Sequence, residues 1–299
     1  MIISSGDLTE ANVAPSYETI RFTNLNWNVP QKVYLNSVDD AEIDHDQISI
    51  ITVSVAPTSD ALFEGLPAKT LAVVTEDNDV AGLSINVLDP LTSEDGEFGS
   101  FEVQLISAPT APVTLYFESS NVSEGIASTT LIFDANNWNL SQTVQVFGVD
   151  DNPPEADGAK NYQIKIYQIL TADVNYNALL LSTLPTASMI NQDNDSPAVI
   201  LTVFDEDYET TEAGDSIQIG FKLVSKPSAK VTLPLTLGLA TDEMKLSQNE
   251  LIIDPNTWDD FTKNKVYLTG VDDNLLDGTQ TVSFLTGAPR SGDPFYDSL

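Results

Sequence analysis

The sequence predicts an all-β protein built from tandem immunoglobulin-like, seven-stranded β-sandwiches. Short segments of alternating apolar and polar residues follow one another closely, with turn residues between them, as strands of a half-buried sheet do. No segment shows a convincing helical period, and the same landmarks return along the chain at a nearly constant interval. Seven strands in about 115 residues are typical of a sandwich.

The repeat is anchored by a tryptophan that precedes an alternating segment ending in two aspartates. These tryptophans are Trp27, Trp138 and Trp258, which lie 111 and 120 residues apart. We therefore expect a partial repeat whose opening strands are missing, a complete repeat, and a repeat that lacks its closing strand, at residues 1–79, 80–195 and 196–299. We therefore expect this chain to be a segment of a longer tandem array of repeats.

The middle repeat is expected to hold all seven strands. Its alternating segments are 82–88, 100–106, 112–118, 129–134, 142–148, 161–169 and 184–190. We expect the tryptophan of each repeat to be structural, and Trp138 to close one end of the core between the two sheets.

Charge is the most unusual feature of the composition. The 299 residues include 45 acidic and 12 basic ones, for a net charge of −33, and no cysteine. A chain this acidic lacks a basic face for phosphate groups, which excludes nucleic acid as a partner and disfavours an anionic membrane surface. Disulfides and thiolate metal sites are excluded. No apolar run is long enough to span a bilayer, so no membrane insertion is expected in this segment.

Paired aspartates follow the same predicted strand in each repeat. The sequence "GVDDN" occurs at 148–152 and 270–274, and "SVDDA" stands at 37–41. The loop after the fifth strand, the start of the second and the end of the seventh can share one end of a sandwich, where the next repeat begins. In the middle repeat this end would collect Glu94, Asp150, Asp151, Glu155, Asp193 and Asp195. Like charges so close are unfavourable unless a cation lies between them.

Calcium is the cation that this pattern favours. Ca²⁺ accepts six to eight oxygen ligands in irregular geometry, whereas Mg²⁺ demands a tight octahedron. Zinc is poorly served, since the chain has no cysteine and His45 is its single histidine. The other interpretation is that the aspartates are solvated turn residues on the acidic surface of a protein from a saline habitat.

The repeat combines an acid near an early strand, a "VDD" loop with a further acid four residues on, and a "DND" end. This combination resembles Calx-beta domains, which are calcium-binding sandwiches. The tandem form looks most like repeats of large bacterial extracellular, adhesin-type proteins, and the resemblance covers essentially the whole chain. It implies as ligands the six middle-repeat acids and also Asp39, Asp40, Asp44, Asp77, Asp79, Glu212, Asp272, Asp273 and Asp277. One departure is that the acid usual after the third strand has no clear match in "SSNVSEGIAS" (119–128). Fewer charges predict weaker binding.

The function expected from these features is structural. We expect a segment of a long extracellular or cell-surface protein, such as an adhesin stalk, a surface layer or a fibre. Calcium would stiffen the junctions between neighbouring repeats, and other copies of the protein are possible partners in a fibre or layer. The alternative is a repeat that itself binds a surface glycan or protein through exposed tyrosines. An enzyme is not expected, because the acids recur in every repeat whereas a catalytic site is usually unique.

Overall fold

The computed structural model describes residues 1–57, 60–127, 130–206, 208–238, 242–272, 275–276 and 278–299. Strands make up 43% of the protein and helices 5%, so the predicted all-β fold is confirmed. Buried apolar residues form three clusters that follow one another along the chain. Within the described part of the chain, no helix is long and apolar enough to cross a membrane.

The N-terminal unit is a three-stranded antiparallel sheet with a small two-stranded sheet. Its strands are β1 (Ile2–Ser5), β2 (Ala11–Val13), β3 (Leu35–Ser37), β4 (Gln47–Ser54) and β5 (Lys69–Thr75). The larger sheet has the order β1-β4-β5, and β2 pairs with β3. A 3-10 helix spans Pro15–Tyr17. Its small core is centred on Ile3, Val13 and Ile51.

The middle unit is a two-layer sandwich. Its strands are β6 (Leu83–Asp89), β7 (Leu91–Ser93), β8 (Phe98–Leu105), β9 (Val113–Ser119), β10 (Gly125–Ala127), β11 (Leu131–Phe133), β12 (Gln142–Gly148), β13 (Lys160–Leu170) and β14 (Ala187–Gln192). One sheet has the order β10-β12-β8-β6 and the other β11-β9-β13-β14-β7. Because successive side chains of a strand point to opposite faces, alternate residues meet in a core where Phe101, Val144 and Ile164 are fully buried.

All seven predicted segments of the middle repeat overlap an observed strand. Two further strands, β7 and β10, are three residues long, which is too short for alternation to mark them in the sequence. Trp138 and Trp258 pack against the cores of their units. Trp27, in contrast, is 70% exposed, so the expected role of the tryptophan fits two of the three units.

The C-terminal unit repeats the sandwich arrangement. Its strands are β15 (Val199–Val203), β16 (Ser216–Leu223), β17 (Val231–Gly238), β18 (Met244–Leu246), β19 (Glu250–Ile253), β20 (Lys265–Gly270), β21 (Ser283–Thr286) and β22 (Arg290–Ser291). One sheet has the order β15-β16-β20-β18, and the other has the order β19-β17-β21 with β22 also paired to β17. Phe221 and Ile253 are fully buried between them.

A buried polar network fixes a short helix in each of the last two units. In the middle unit, Asp173 caps α1 (Val174–Asn177) and also accepts two hydrogen bonds from Thr110. The hydroxyl of Tyr176 donates to the carbonyl of Ser107 at 2.7 Å. A 3-10 helix follows at Leu181–Thr183. The C-terminal unit has the same network, made by Asp293, α2 (Pro294–Asp297), Ser228, Tyr296 and Ser225. These networks establish which residues of the two units correspond.

Consecutive units are joined by the same main-chain hydrogen bond. The N–H of Ala108 donates to the carbonyl of Ala41 at 2.7 Å, and the N–H of Lys226 donates to the carbonyl of Pro154 at 2.7 Å. In both cases the acceptor lies in the loop that carries the paired aspartates. Each unit therefore attaches to its predecessor directly beside those acids.

Candidate metal centre

Three of the predicted acids meet where β7 runs parallel to β14. Ser93 lies beside Gln192 in that register, so Glu94 and Asp193, the next residue of each segment, emerge side by side. Together with Asp195 they form a trio whose carboxylate oxygens, one from each residue, lie within 4.8 Å of one another. We call the trio, together with the carboxylates whose charges act on it or on the neighbouring Asp151, the second cluster: Glu94, Glu124, Asp150, Asp151, Glu155, Asp157, Asp193 and Asp195.

The glycine of "GVDDN" lets β7 approach so closely. A Cβ at Gly148 would collide with the carbonyl oxygen of Ser93 and with the side chain of Asn191. At Gly270, the equivalent residue of the C-terminal unit, a Cβ would collide with the carbonyl of Thr211. In the N-terminal unit the corresponding motif is "SVDDA", which has Ser37 at the position of the glycine. The part of that repeat present in this chain contains no residue that corresponds to Glu94.

Backbone hydrogen bonds orient the carboxylates of the trio. Asp193 accepts from the N–H groups of Asp195, Asp157 and Gly158 at 2.7, 2.8 and 2.5 Å. Glu94 accepts from the N–H of Asn194 at 3.1 Å. The "DND" segment is thereby folded back onto the loop after β12 and onto the residue that follows β7.

The trio fits a calcium ion in two respects. Oxygens bonded to one Ca²⁺ at about 2.3–2.6 Å lie at most about 5 Å apart, and the observed spacing falls within that limit. Oδ2 of Asp195 is buried and has no hydrogen-bond partner among the described residues. Leaving a buried carboxylate oxygen without a partner is costly, and a cation at this place would supply one.

Burial and mutual repulsion disfavour the charged forms in the second cluster. Burial, reinforced by the charges of Asp193 and Asp151, raises the pKa of Glu94 to about 7 against a hydrogen bond that lowers it. Burial and then the charge of Asp157 raise the pKa of Asp151 to about 6. The pKa of Asp195 is also raised, chiefly by burial. In the protein without an ion, part of this site is held protonated near neutral pH.

Two lysines engage the rim of the second cluster. Lys160 lies 3.0 Å from Asp157, and Lys226 of the next unit lies 2.6 Å from Glu155. Glu155, a predicted ligand, is therefore already paired with an ammonium group. Asp150 is exposed, although its charge acts on Asp195.

Sequence reasoning missed Glu124 and Asp157. The segment "SSNVSEGIAS", in which the acid usual after the third strand has no clear match, contains Glu124, which is 7% exposed and accepts a hydrogen bond from Asn191 at 3.4 Å. Its carbonyl also accepts from the N–H of Val149 at 3.1 Å. The same main-chain bond joins Glu10 to Val38 and Glu243 to Val271. The sequence does contain a signal for this residue, since "SSGDLTE" (4–10) is similar to "SSNVSE" (119–124) and the two segments end on Glu10 and Glu124.

The N-terminal unit has an equivalent first cluster. Its acids line one cavity of about 30 Å³ and are Glu10, Asp39, Asp40, Glu42, Asp44, Glu76, Asp77 and Asp79. The N–H groups of His45 and Asp79 each donate to Asp77 at 2.8 Å, as Gly158 and Asp195 do to Asp193. These bonds lower the pKa of Asp77. Burial and then neighbouring acids raise the pKa of Glu10 and of Asp79.

The predicted acids of the C-terminal unit are placed differently. Glu212 and Asp272 are exposed. Within the described ranges they belong to no group of three close carboxylates. Asp273 and Asp277 lie outside the residues that the structure describes, so their prediction stays open.

Comparison with known proteins finds similarity to solved structures. No family model matches the chain, and no curated protein matches it. Domains 4–9 of the surface layer protein SbsC align with 98% of this chain at 13% identity and a TM-score of 0.28, and the chain spans 38% of that structure. The alignment with the calcium binding domain CBD12 of CALX1.1 covers 71% of this chain and 82% of the CBD12 chain, at 12% identity and a TM-score of 0.29. These likenesses concern the fold class, and membership of the Calx-beta family stays a prediction.

Proposed function

We propose that this chain is a tandem-repeat segment of an extracellular or cell-surface protein, and that Ca²⁺ bound at its acidic clusters stiffens the junctions between units. The observation that carries the proposal is the trio of Glu94, Asp193 and Asp195, in which Asp195 has a buried oxygen without a hydrogen-bond partner in the described structure. The proposed role is mechanical, and we propose no catalytic activity.

The trio would hold the ion, with further oxygens from Asp151 and Glu124. Calcium needs six to eight oxygens, and a carboxylate can bind through one oxygen or two, so these five acids are sufficient with a few water molecules. The bound ion supplies positive charge that offsets the repulsion within the cluster. The carboxylates that burial now keeps partly protonated would then be ionised.

The location of the cluster connects binding to stiffness. The trio joins the end of β14 to the residue after β7, and Asp193 also holds the loop after β12 through Asp157 and Gly158. The C-terminal unit follows Asp195 directly and hydrogen-bonds that same loop at Pro154. An ion that fixes these segments relative to one another would fix the starting direction of the next unit.

Calorimetry of the whole chain in EDTA and in millimolar calcium tests the binding. At a free concentration one hundred times Kd, one bound ion adds about 2.7 kcal/mol to the stability of a unit, so we expect a clear rise in melting temperature. The double variant Glu94→Gln/Asp195→Asn should lose the part of this rise that belongs to the middle unit. Glu97→Gln, at an exposed residue of the same segment, is the matched control.

Small-angle scattering in the same two buffers tests the stiffening. We expect the chain to sample a narrower range of overall dimensions in calcium than in EDTA. A melting temperature that calcium leaves unchanged would disprove the binding. A higher melting temperature with unchanged scattering would disprove the stiffening alone.

A further inference from the structure

Two side chains of the C-terminal unit reach the acidic loop of the middle unit. The Nζ of Lys226 lies 2.6 Å from Oε1 of Glu155. The ring of Phe295 lies against Gly158, since its Cζ is 3.1 Å from the position that a Cβ on Gly158 would take. Together with the main-chain bond from Lys226 to Pro154, these contacts bind both ends of a five-residue stretch of the loop, residues 154–158.

We propose that Lys226 and Phe295 dock the C-terminal unit onto the middle unit without any bound cation. The Lys226 ammonium brings a positive charge to the edge of a cluster that otherwise repels itself. Phe295 adds an apolar contact, which charge screening by salt does not weaken. Gly158 has a φ of +74°, where a side chain would be strained and would also push the ring away. The second junction is therefore a docking surface between units in its own right.

The first junction has other residues at these positions. Ser107 and Ser225 each bind the hydroxyl of the buried tyrosine of their unit, so the following residues, Ala108 and Lys226, correspond. Ala108 has no charge to offer Glu42, the acid that lies beside it in a parallel bridge.

The aromatic contact differs as well. Asn175 and Phe295 correspond, because each precedes the buried tyrosine of its unit. His45 corresponds to Gly158, since both have a positive φ and both donate an N–H to the first aspartate of "DND". The hydrogen bond and the bridge found at the first junction both involve the backbone of Ala108. The two junctions should thus differ in stiffness when no cation is present.

Distance measurements between spin labels can separate the two junctions. The chain has no cysteine, so labels can be placed at Thr143→Cys and Ile252→Cys for the second junction, and at Ile50→Cys and Thr143→Cys for the first. All three residues are exposed. In EDTA we expect a narrow distance distribution across the second junction and a broad one across the first.

Substitutions then test the two docking residues in EDTA. Lys226→Met and Phe295→Ala should each broaden the second distribution, and together they should abolish the narrow component. Lys245→Met removes an exposed lysine of the same unit and should leave the distribution unchanged. High salt should reproduce the effect of Lys226→Met only, because it screens the ion pair.

The converse substitution is Ala108→Lys, which supplies an ammonium group opposite Glu42 and should narrow the first distribution in EDTA. A second junction as broad as the first in EDTA, or one that keeps its narrow distribution in the double variant, would overturn the proposal. Because no step involves calcium, failure of calcium binding leaves this inference intact, and failure of docking leaves the calcium proposal intact.

Discussion

The first and second clusters contain corresponding acids in different surroundings. In both, a "DND" aspartate accepts main-chain N–H groups and a glutamate lies beside the "VDD" loop. The second cluster has in addition Glu94, which a parallel strand brings against Asp193, and burial raises the pKa of Glu94 to about 7. The first cluster lines a small open cavity instead. Matching sequence motifs therefore supply similar charge, while the neighbouring strand brings three carboxylates of the second cluster together.

A single residue marks the difference in sequence. Gly148 leaves room for β7, which Glu94 directly follows, whereas the first cluster has the exposed Ser37. The glycine of "GVDDN" is thus a requirement of close strand packing, and the two aspartates that follow it belong to the binding loop. The four predictions below contrast the clusters in order of decreasing expected effect.

Gly148→Ala should destabilise the middle unit by roughly 1–3 kcal/mol, the usual cost of forcing an extra methyl group into a packed site. The new Cβ would displace Ser93 and with it Glu94, so calcium affinity at the second cluster should fall as well. Urea unfolding and isothermal titration calorimetry measure the two effects. Ser37→Ala is the matched control and should change stability by less than about 0.5 kcal/mol. Equal effects of the two substitutions would show that strand packing does not distinguish the clusters.

Glu94→Gln should weaken calcium binding at the second cluster about tenfold, which corresponds to about 1.4 kcal/mol. The first cluster should keep its affinity, so titration calorimetry should resolve one weakened and one unchanged class of site. In EDTA the variant should be at least as stable as the parent protein, because burial disfavours the charge that is removed. Loss of stability in EDTA would mean that Glu94 has a packing role unrelated to the ion.

Glu10→Gln should weaken binding at the first cluster by about threefold. The effect is smaller because, among the described residues, Glu10 belongs to no group of three close carboxylates, whereas Glu94 does. Glu18→Gln, at another glutamate of the N-terminal unit whose charge is not among those acting on Glu10, serves as the control. A larger loss than that caused by Glu94→Gln would reverse the order of the two clusters.

The stability of the calcium-free protein should decline as the pH rises from about 4.5 through about 7. The folded pKa of Glu94 is raised from 4.5 to about 7, so the stability contributed by its protonated form is complete below 4.5 and is lost as the pH passes 7. The decline should be modest, since the group is partly exposed. In calcium the sign reverses, because the ion needs the ionised form. Melting curves at several pH values measure both slopes, and Glu94→Gln should flatten them.

The strands and the trio were accessible from the sequence for physical reasons. Alternation marks strands such as β8 and β12 because one of their faces is buried. Glu94, Asp193 and Asp195 could be named because acids at fixed places in a repeated unit converge when the unit folds the same way each time. The structure brings these three together, although the residues that bind an ion stay a prediction.

Other features depend on contacts that one repeat does not reveal. Glu124 lies in a turn before a three-residue strand, where no alternation marks it, and it reaches the cluster through the packing of β10 beside β12. The pairing of Glu155 with Lys226 depends on how two sandwiches meet. The exposure of Trp27 likewise follows from the tertiary surroundings of its unit, since the residue itself is the same in all three.

The main-chain bond from Ala108 to Ala41, found again between Lys226 and Pro154, has a consequence for how such a protein can grow. An amide and a carbonyl are present at nearly every position of a polypeptide, so this connection survives almost any change of side chain. A duplicated gene segment would inherit a working attachment to its predecessor at once. Substitutions such as alanine for lysine could then adjust each link separately, giving lengthened arrays with joints of graded flexibility.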